Sequence, residues 1–448
     1  MTDGNGELLG IRGFLIDAPE FGTLRGRPAG ALIVEKGQIL ERGDYDELRR
    51  KHRSDKVHWL DYAQAAIFPG LIDCHTHLPQ YSAVARGESE LLPWLRQHIF
   101  PVEREFTGPK AREQAPQFFH ELARHGTTTA MIYAAISEDS CEIGFEAAKA
   151  SGLRVILGNV LMDVASYGQS QPKKVLSVSL VESERLCRKW HGKEDGRLEY
   201  AFSPRFAVTC SERLMRGAAE LAARFSTYLQ THLAENREEI EKVHHQFMGA
   251  HDYTHVYEKC GLLTPKTILG HCIHLNAREI AAIAAAQSSV AHCPSSNLFL
   301  GSGLIKLDQL LKAGIAVGLG SDVAAGPELN MWQVMRSAID VQKSRAAYEP
   351  NLRPLRPSEA FYLATEGGAR ALGKSAVIGT LDAGKEADLT IVDVASLLPY
   401  REKSEAVRGL PTEDALALCI YRGGAHSNLA TYVRGKCVYQ APHLAQSV

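Results

Sequence analysis

His75 and His77 stand one residue apart at the end of the apolar run PGLIDCHTHLPQY. On an extended strand, residues i and i+2 face the same side, so the two imidazoles project together. Paired imidazoles at a strand end make half of a divalent metal site. A lone H-x-H fits equally well with one histidine capping the strand and the other in solvent. Three more segments favour the metal. TYLQTHLAE ends a strand-like run at His232, with Glu235 three residues on. TILGHCIHL brings His271 after another such run, and AVGLGSDVAAG ends one in Asp322 among glycines. An Asp after a strand commonly just begins a turn. Four strand ends that each carry His or Asp instead predict one site, assembled where the strands of a barrel finish.

Those side chains need strands to carry them. Apolar strands read at GLIDCH, GTTTAMIYA, RVILGNVLMD, LEYAFSPRF, TYLQTH, TILGH, SVAHCP and AVGLGSD. Amphipathic stretches such as EEIEKVHHQF and AREIAAIAAA lie between them. This alternation predicts an α/β chain folded as a (β/α)8 TIM barrel. An open doubly wound sheet would bind at a switch point, whereas these ligands come from strands spread across the series. IRGFLID and GALIVEKGQILERG near one end, and KEADLTIVDV and LATYVRGKCVYQ near the other, are strand-rich. A small β-sandwich domain built from both chain termini is therefore expected, from residues 1–68 and 376–448, around a barrel over 69–375. The longest connection, ARGESELLPWLRQHIFPVEREF, follows the first barrel strand. Its Leu91, Leu92, Trp94, Leu95, Ile99 and Phe100 recur at helical spacing, as core packing or as a lid that excludes water.

Composition narrows the class. The chain has 448 residues, 45% apolar and 23% charged, enough for a large core and a second, smaller domain. A net charge of −2 points to neither nucleic acid nor an acidic membrane as partner. The nine cysteines include no C-x-x-C pair, and the polar start MTDGNGELLG has no secretory signal, so reduced thiols in a cytoplasmic compartment are expected. Cys74, Cys272 and Cys293 neighbour site-type histidines but read as small buried strand residues. No apolar run approaches the roughly 20 residues needed to span a bilayer. His244, His245, His251 and His255 crowd one region, where HDYTH lacks the Glu of H-E-x-x-H and reads as solvated surface.

Taken together, PGLIDCHTHLPQY, LLPWLRQHIFPVEREF, HGTTTA, PRFAVTCSERLM, QTHLAENREEIE, AHCPSSNLFLGSGL, VGLGSDV and ATEGGARALG resemble the amidohydrolase superfamily and, within it, the guanine deaminase family. The resemblance implies that His75, His77, His232 and Asp322 hold one divalent ion per chain, zinc with ferrous iron as the alternative. The fourth-strand segment LEYAFSPRF has no lysine to bridge a second metal, so a mononuclear site is preferred. The resemblance further implies that Asp322 accepts a proton from the hydrolytic water, that His271 holds that water, and that Glu235 protonates the ring nitrogen beside the attacked carbon. Gln80 and Arg205 are implied to read the base, with Phe206 shaping the pocket wall. The plainer alternatives are that Glu235 satisfies amides at a helix start, Arg205 pairs with a loop carboxylate and Phe206 is core. The reaction implied is hydrolytic deamination of guanine to xanthine and ammonia by a homodimer. A related hydrolase acting on another amino- or chloro-substituted heterocycle (pterin, oxidised purine, triazine) is the alternative. The loops VLMDVASYGQSQPKK and VAAGPELNMW depart from the usual guanine deaminase pattern, and loops at this face set substrate choice.

Overall fold

Short runs rich in Val, Ile, Leu and Thr form eight parallel barrel strands: Leu71–His77, Thr127–Tyr133, Arg154–Gly158, Leu198–Pro204, Tyr228–Leu233, Thr267–His271, Ser289–His292 and Val317–Leu319. The structure, a computed structural model, describes residues 8–87, 90–164, 172–400 and 409–445. Neighbours in sequence are neighbours in the sheet. Strands covered on both faces become continuous apolar runs, which is how they read in the sequence. The intervening helices begin where the sequence supplies caps. Ser211 accepts from the Leu214 amide to start Glu212–Phe225. Asn236 with Glu239, and Asn276 with Glu279, form capping boxes at Arg237–Gln246 and Ala277–Ala285.

The first and last barrel strands meet at a seam made by the residues that carry the candidate site. The Asp322 amide donates to the His75 carbonyl at 2.8 Å. The Ser321 amide donates to Asp73 Oδ1 at 3.0 Å, and its hydroxyl donates to Asp73 Oδ2. Asp73 is buried two residues before His75 and also accepts from the His75 amide at 3.2 Å. Closing the barrel and placing the first and last candidate ligands are thus one event.

Both chain ends build a second, seven-stranded sheet, as expected from their strand-rich sequences. Its order runs Lys436–Gln440, Asn428–Val433, Leu389–Val392, Val57–Pro69, Leu8–Asp17, Arg25–Glu35 and Gln38–Asp44. Adjacent strands are antiparallel except Leu8–Asp17 and Val57–Pro69, which run parallel. Ile67 pairs with Ile391, and both join Ile11, Leu15 and Leu389 in a core of their own. Only Gly70 separates Val57–Pro69 from the first barrel strand. A Cβ at Gly70 would lie 2.1 Å from Thr128 Oγ1, so the close passage of Gly70 against the second barrel strand requires glycine.

A buried charge cluster fastens this sheet beneath the barrel. Arg154, which opens the third barrel strand, donates to Asp388 Oδ2 through Nε and Nη2, both at 3.3 Å, and pairs with Glu386. Arg434 donates to Glu386 from its side chain at 2.8 Å and to Asp388 from its amide at 2.9 Å. Removing one partner of a buried pair leaves the others uncompensated. Arg154→Ala is expected to destabilise the protein by about 3–5 kcal/mol. Denaturant unfolding of the variant beside the parent measures that loss, and a midpoint within error of the parent would refute it.

Candidate active site

Four buried side chains converge at the C-terminal end of the barrel strands. His75 and His77 come from the first strand, His232 from the fifth, and Asp322 lies just past the eighth. Each offers one ligand atom, and all four atoms lie within 4.8 Å of one another. Asp322 Oδ1 is 3.1 Å from His77 Nε2 and 3.3 Å from His75 Nε2. His232 Nε2 faces His77 Nε2 at 3.4 Å. The Nδ1 of His232 donates to the Arg205 carbonyl at 2.7 Å, which leaves Nε2 with its lone pair toward the cluster. His75 Nε2 is buried without a hydrogen-bond partner. Buried nitrogens left unsatisfied around one carboxylate oxygen are what a divalent cation would satisfy, so the residues fit the group.

The protonation states agree. Burial pulls His75 down to about 4 despite Asp322 beside it. Burial, together with the neighbouring imidazoles, holds His232 well below its ordinary value. Burial opposes the charge of Asp322, but the His75 and His77 imidazoles beside it, with His271, outweigh it and keep the carboxyl well below its usual range. Neutral imidazoles and an ionised carboxylate are the states a metal needs.

Beside this cluster stand Glu235 and His271. His271 Nε2 lies 3.4 Å from Glu235 Oε2 and 3.7 Å from Asp322 Oδ2, while Nδ1 contacts Asn297 Oδ1 at 2.9 Å. Burial lowers the His271 pKa, but Glu235 and Asp322 outweigh it, so the ring sits above its ordinary value. Glu235 is pushed up to about 7 by burial, against the pull of His271. Ser302 donates to Glu235 Oε1 at 3.0 Å. The helix that begins after Glu235 does not use its carboxylate. Glu239 accepts the Glu235 and Asn236 amides at 3.0 and 3.1 Å, and Asn236 accepts the Glu238 amide. His271 and Asp322 leave their strands with positive φ, 67° and 48°. Left-handed non-glycine residues cost about 1–3 kcal/mol each and cluster where a site dictates the backbone.

The predicted substrate contacts line the same pocket. Its wall includes Gln80, Arg205, Phe206, His77, His232, Glu235, His271 and Asp322. Phe206, besides lining the pocket, is also packed in the core. Arg205 pairs with a carboxylate from the long connection, Glu103, inside the pocket region rather than away from it. That connection is helical through Leu91–Trp94, Leu95–Ile99 and Phe100–Glu105. It packs Leu92, Ile99 and Val102 into the core and turns Leu91, Trp94 and Leu95 onto the pocket, so it is core and cover at once. The free space left beneath is about 20 Å³, the room of a water molecule.

Several contributors gave no local signal: Glu103, Asn297, Ser302, Ser296, which donates to Asp322 Oδ2 at 2.6 Å, and Tyr133, whose ring stacks on His77 at 4.6 Å. Of the divergent loops, residues 165–171 lie outside the described residues. Pro327 and Glu328 are exposed, while Ala325 reaches the pocket. His244, His245 and His251 are exposed and take no part in the ligand cluster.

The amidohydrolase family profile matches residues 66–437. The chain belongs to the amidohydrolase family. This amidohydrolase is 35% identical to the guanine deaminase of Escherichia coli (strain K12), over 98% of the chain and 100% of that relative. It is 30% identical to the guanine deaminase of Dictyostelium discoideum, over 95% of the chain and 97% of that relative. Among solved structures it is similar to guanine deaminase from C. acetobutylicum with bound guanine in the active site. The two share 29% identity and a TM-score of 0.89, over 96% of this chain and 100% of that one.

Titrating zinc into metal-free amidohydrolase is expected to saturate at one equivalent per chain. His232→Ala should lose tight binding, by more than the 10- to 100-fold typical of outer-shell substitutions. Two tight equivalents, or undiminished affinity in the variant, would refute the four-residue site.

Proposed function

We propose that this amidohydrolase is a guanine deaminase, hydrolysing guanine to xanthine and ammonia with one zinc ion per chain. The observation that carries the reading is the buried His75–His77–His232–Asp322 cluster with Glu235 and His271 beside it, beneath a wall containing Gln80 and Arg205. A zinc ion held there would supply Lewis acidity that makes water a nucleophile near neutral pH. The chain's own groups do the rest. His271 Nε2, between Glu235 and Asp322, orients the attacking water toward the ring carbon that bears the amine. Asp322 takes the water's proton at Oδ2. Glu235, pushed up to about 7, keeps a proton near neutral pH and delivers it to the adjacent ring nitrogen, which makes the carbon electrophilic. The proton on Asp322 then passes to the amine, the C–N bond breaks to release ammonia, and the new hydroxyl returns its proton to Glu235 as the carbonyl forms. Gln80 and Arg205 hold the oxo edge of the base.

Leu91, Trp94 and Leu95 form an apolar part of the pocket wall that excludes water from the reacting groups. The nine free cysteines, eight of them buried, support a reducing, cytoplasmic setting. No helix among the described residues is long and apolar enough to cross a membrane. Family resemblance extends the proposal to a homodimer.

Ammonia release across guanine, adenine, cytosine, 8-oxoguanine, pterins and amino-triazines tests the reading, with guanine expected to give the highest kcat/KM. A better substrate among the others would replace it. Glu235→Gln should keep its metal and lose about 10²-fold or more in rate, as loss of a general acid predicts. Near-normal turnover by the metal-loaded variant would rule out this mechanism. Arg205→Ala should lose about 1–3 kcal/mol in kcat/KM for guanine by leaving a buried carbonyl unpaired, at unchanged metal content. An unaltered kcat/KM would remove Arg205 from the binding set.

A further inference from the structure

Glu103 is buried at 2% exposure and belongs to none of the groups that perform the proposed chemistry. Its Oε1 accepts from Gln80 Nε2 at 2.8 Å and from Arg205 Nη1 at 2.9 Å, and its Oε2 accepts from the same Nη1 at 2.6 Å. Gln80 Oε1 accepts in turn from the Ala324 amide at 3.2 Å. Only one orientation of the Gln80 amide satisfies both partners. Turned over, its oxygen would face a carboxylate and its NH2 an N–H. Glu103 therefore decides which edge of Gln80 donates and which accepts. The same carboxylate holds the Arg205 guanidinium, which lies over the Phe100 ring at 5.2 Å. Phe100 and Glu103 share the helical turn that continues the pocket cover.

Charge gives Glu103 a second consequence. A guanidinium keeps its charge in any protein interior, and unpaired in a buried pocket it would draw in anions. Guanine is neutral near neutral pH, whereas xanthine is the stronger acid and forms an anion more readily. We propose that Glu103 is a positioning residue that orients Gln80 and cancels the charge of Arg205, so that the pocket selects a neutral oxo-amino heterocycle and releases its more acidic product. The inference rests on the guanine deaminase reading and adds a specificity determinant to it.

Steady-state kinetics with guanine, combined with inhibition by xanthine, test it on the metal-loaded full chain. Glu103→Gln should raise KM for guanine about tenfold or more, with kcat changed less. It should also tighten xanthine inhibition about tenfold, increasingly as pH rises through the first ionisation of xanthine. Glu103→Asp retains the charge but falls one methylene short of Gln80. It should raise KM while leaving xanthine inhibition within about twofold of the parent. A role in folding alone would lower Tm and leave both constants in place, and that result overturns the proposal. If Glu103→Gln does not fold, Glu103→Asp decides, and constants that move together or not at all overturn it. Failure of the guanine reading shows separately, as absent turnover by the unaltered enzyme. Calorimetric binding of guanine and xanthine to the same variants then still reads the effect of Glu103.

Discussion

Asp322 Oδ1 sits within 3.3 Å of two imidazole nitrogens, while Oδ2 accepts from Ser296 and faces His271. An ionised carboxylate in an apolar interior is costly unless its surroundings compensate it. Here nearly all the compensation comes from other barrel strands. His75 and His77 arrive from the first, His271 from the sixth, and Ser296 follows the seventh. The Asp322 amide also closes the seam to the His75 carbonyl. The carboxylate can be accommodated only when the barrel is shut, and the barrel shuts through the residue that bears it.

Around this charge the chain builds two shells of different character. The inner one is polar and largely satisfied by side chains that arrive from far away in sequence: Asn297 on His271, Ser302 on Glu235, Ser321 on Asp73. The outer one is apolar, with Leu91, Trp94, Leu95, Phe206 and Leu300 closing over the cleft. Low polarity outside strengthens every interaction inside. It also accounts for a carboxyl at Glu235 that holds its proton near neutrality while Asp322, close by, stays ionised. The two acids differ because one faces imidazoles directly and the other faces mainly a hydroxyl and the edge of His271.

Much of this was legible in the sequence. The eight strand runs each formed a barrel strand, since strands covered on both faces must be apolar throughout. His75, His77, His232, His271 and Asp322 sat where those runs ended, so convergence followed from strand direction alone. Glu235 was ambiguous because HLAEN suits a helix start as well as a pocket. The ambiguity lay in which carboxylate caps the helix, and Glu239 does. Glu103, Ser302 and Asn297 were not legible for a different reason. Their partners lie 102, 67 and 26 residues away, and no local period encodes such pairings. Arg205 pairs with a carboxylate of the long connection, as one of its two readings expected, and its side chain also lines the pocket.

The first barrel strand hangs from the terminal sheet by the single residue Gly70, whose amide donates to the Asp388 carbonyl at 2.8 Å. Its preceding strand, Val57–Pro69, has Leu389–Val392 as a neighbour, which in turn needs Asn428–Val433. During synthesis the chain is made from the other end, so the last partner of that sheet leaves the ribosome after every barrel strand. The strand leading into the histidine pair has Leu8–Asp17 beside it early, and gains its second neighbour only when the final segments arrive. Order of manufacture and order of completion therefore run in opposite senses. A truncated chain lacking those segments would carry every candidate ligand and still leave one flank of the strand beneath the first barrel strand unpaired.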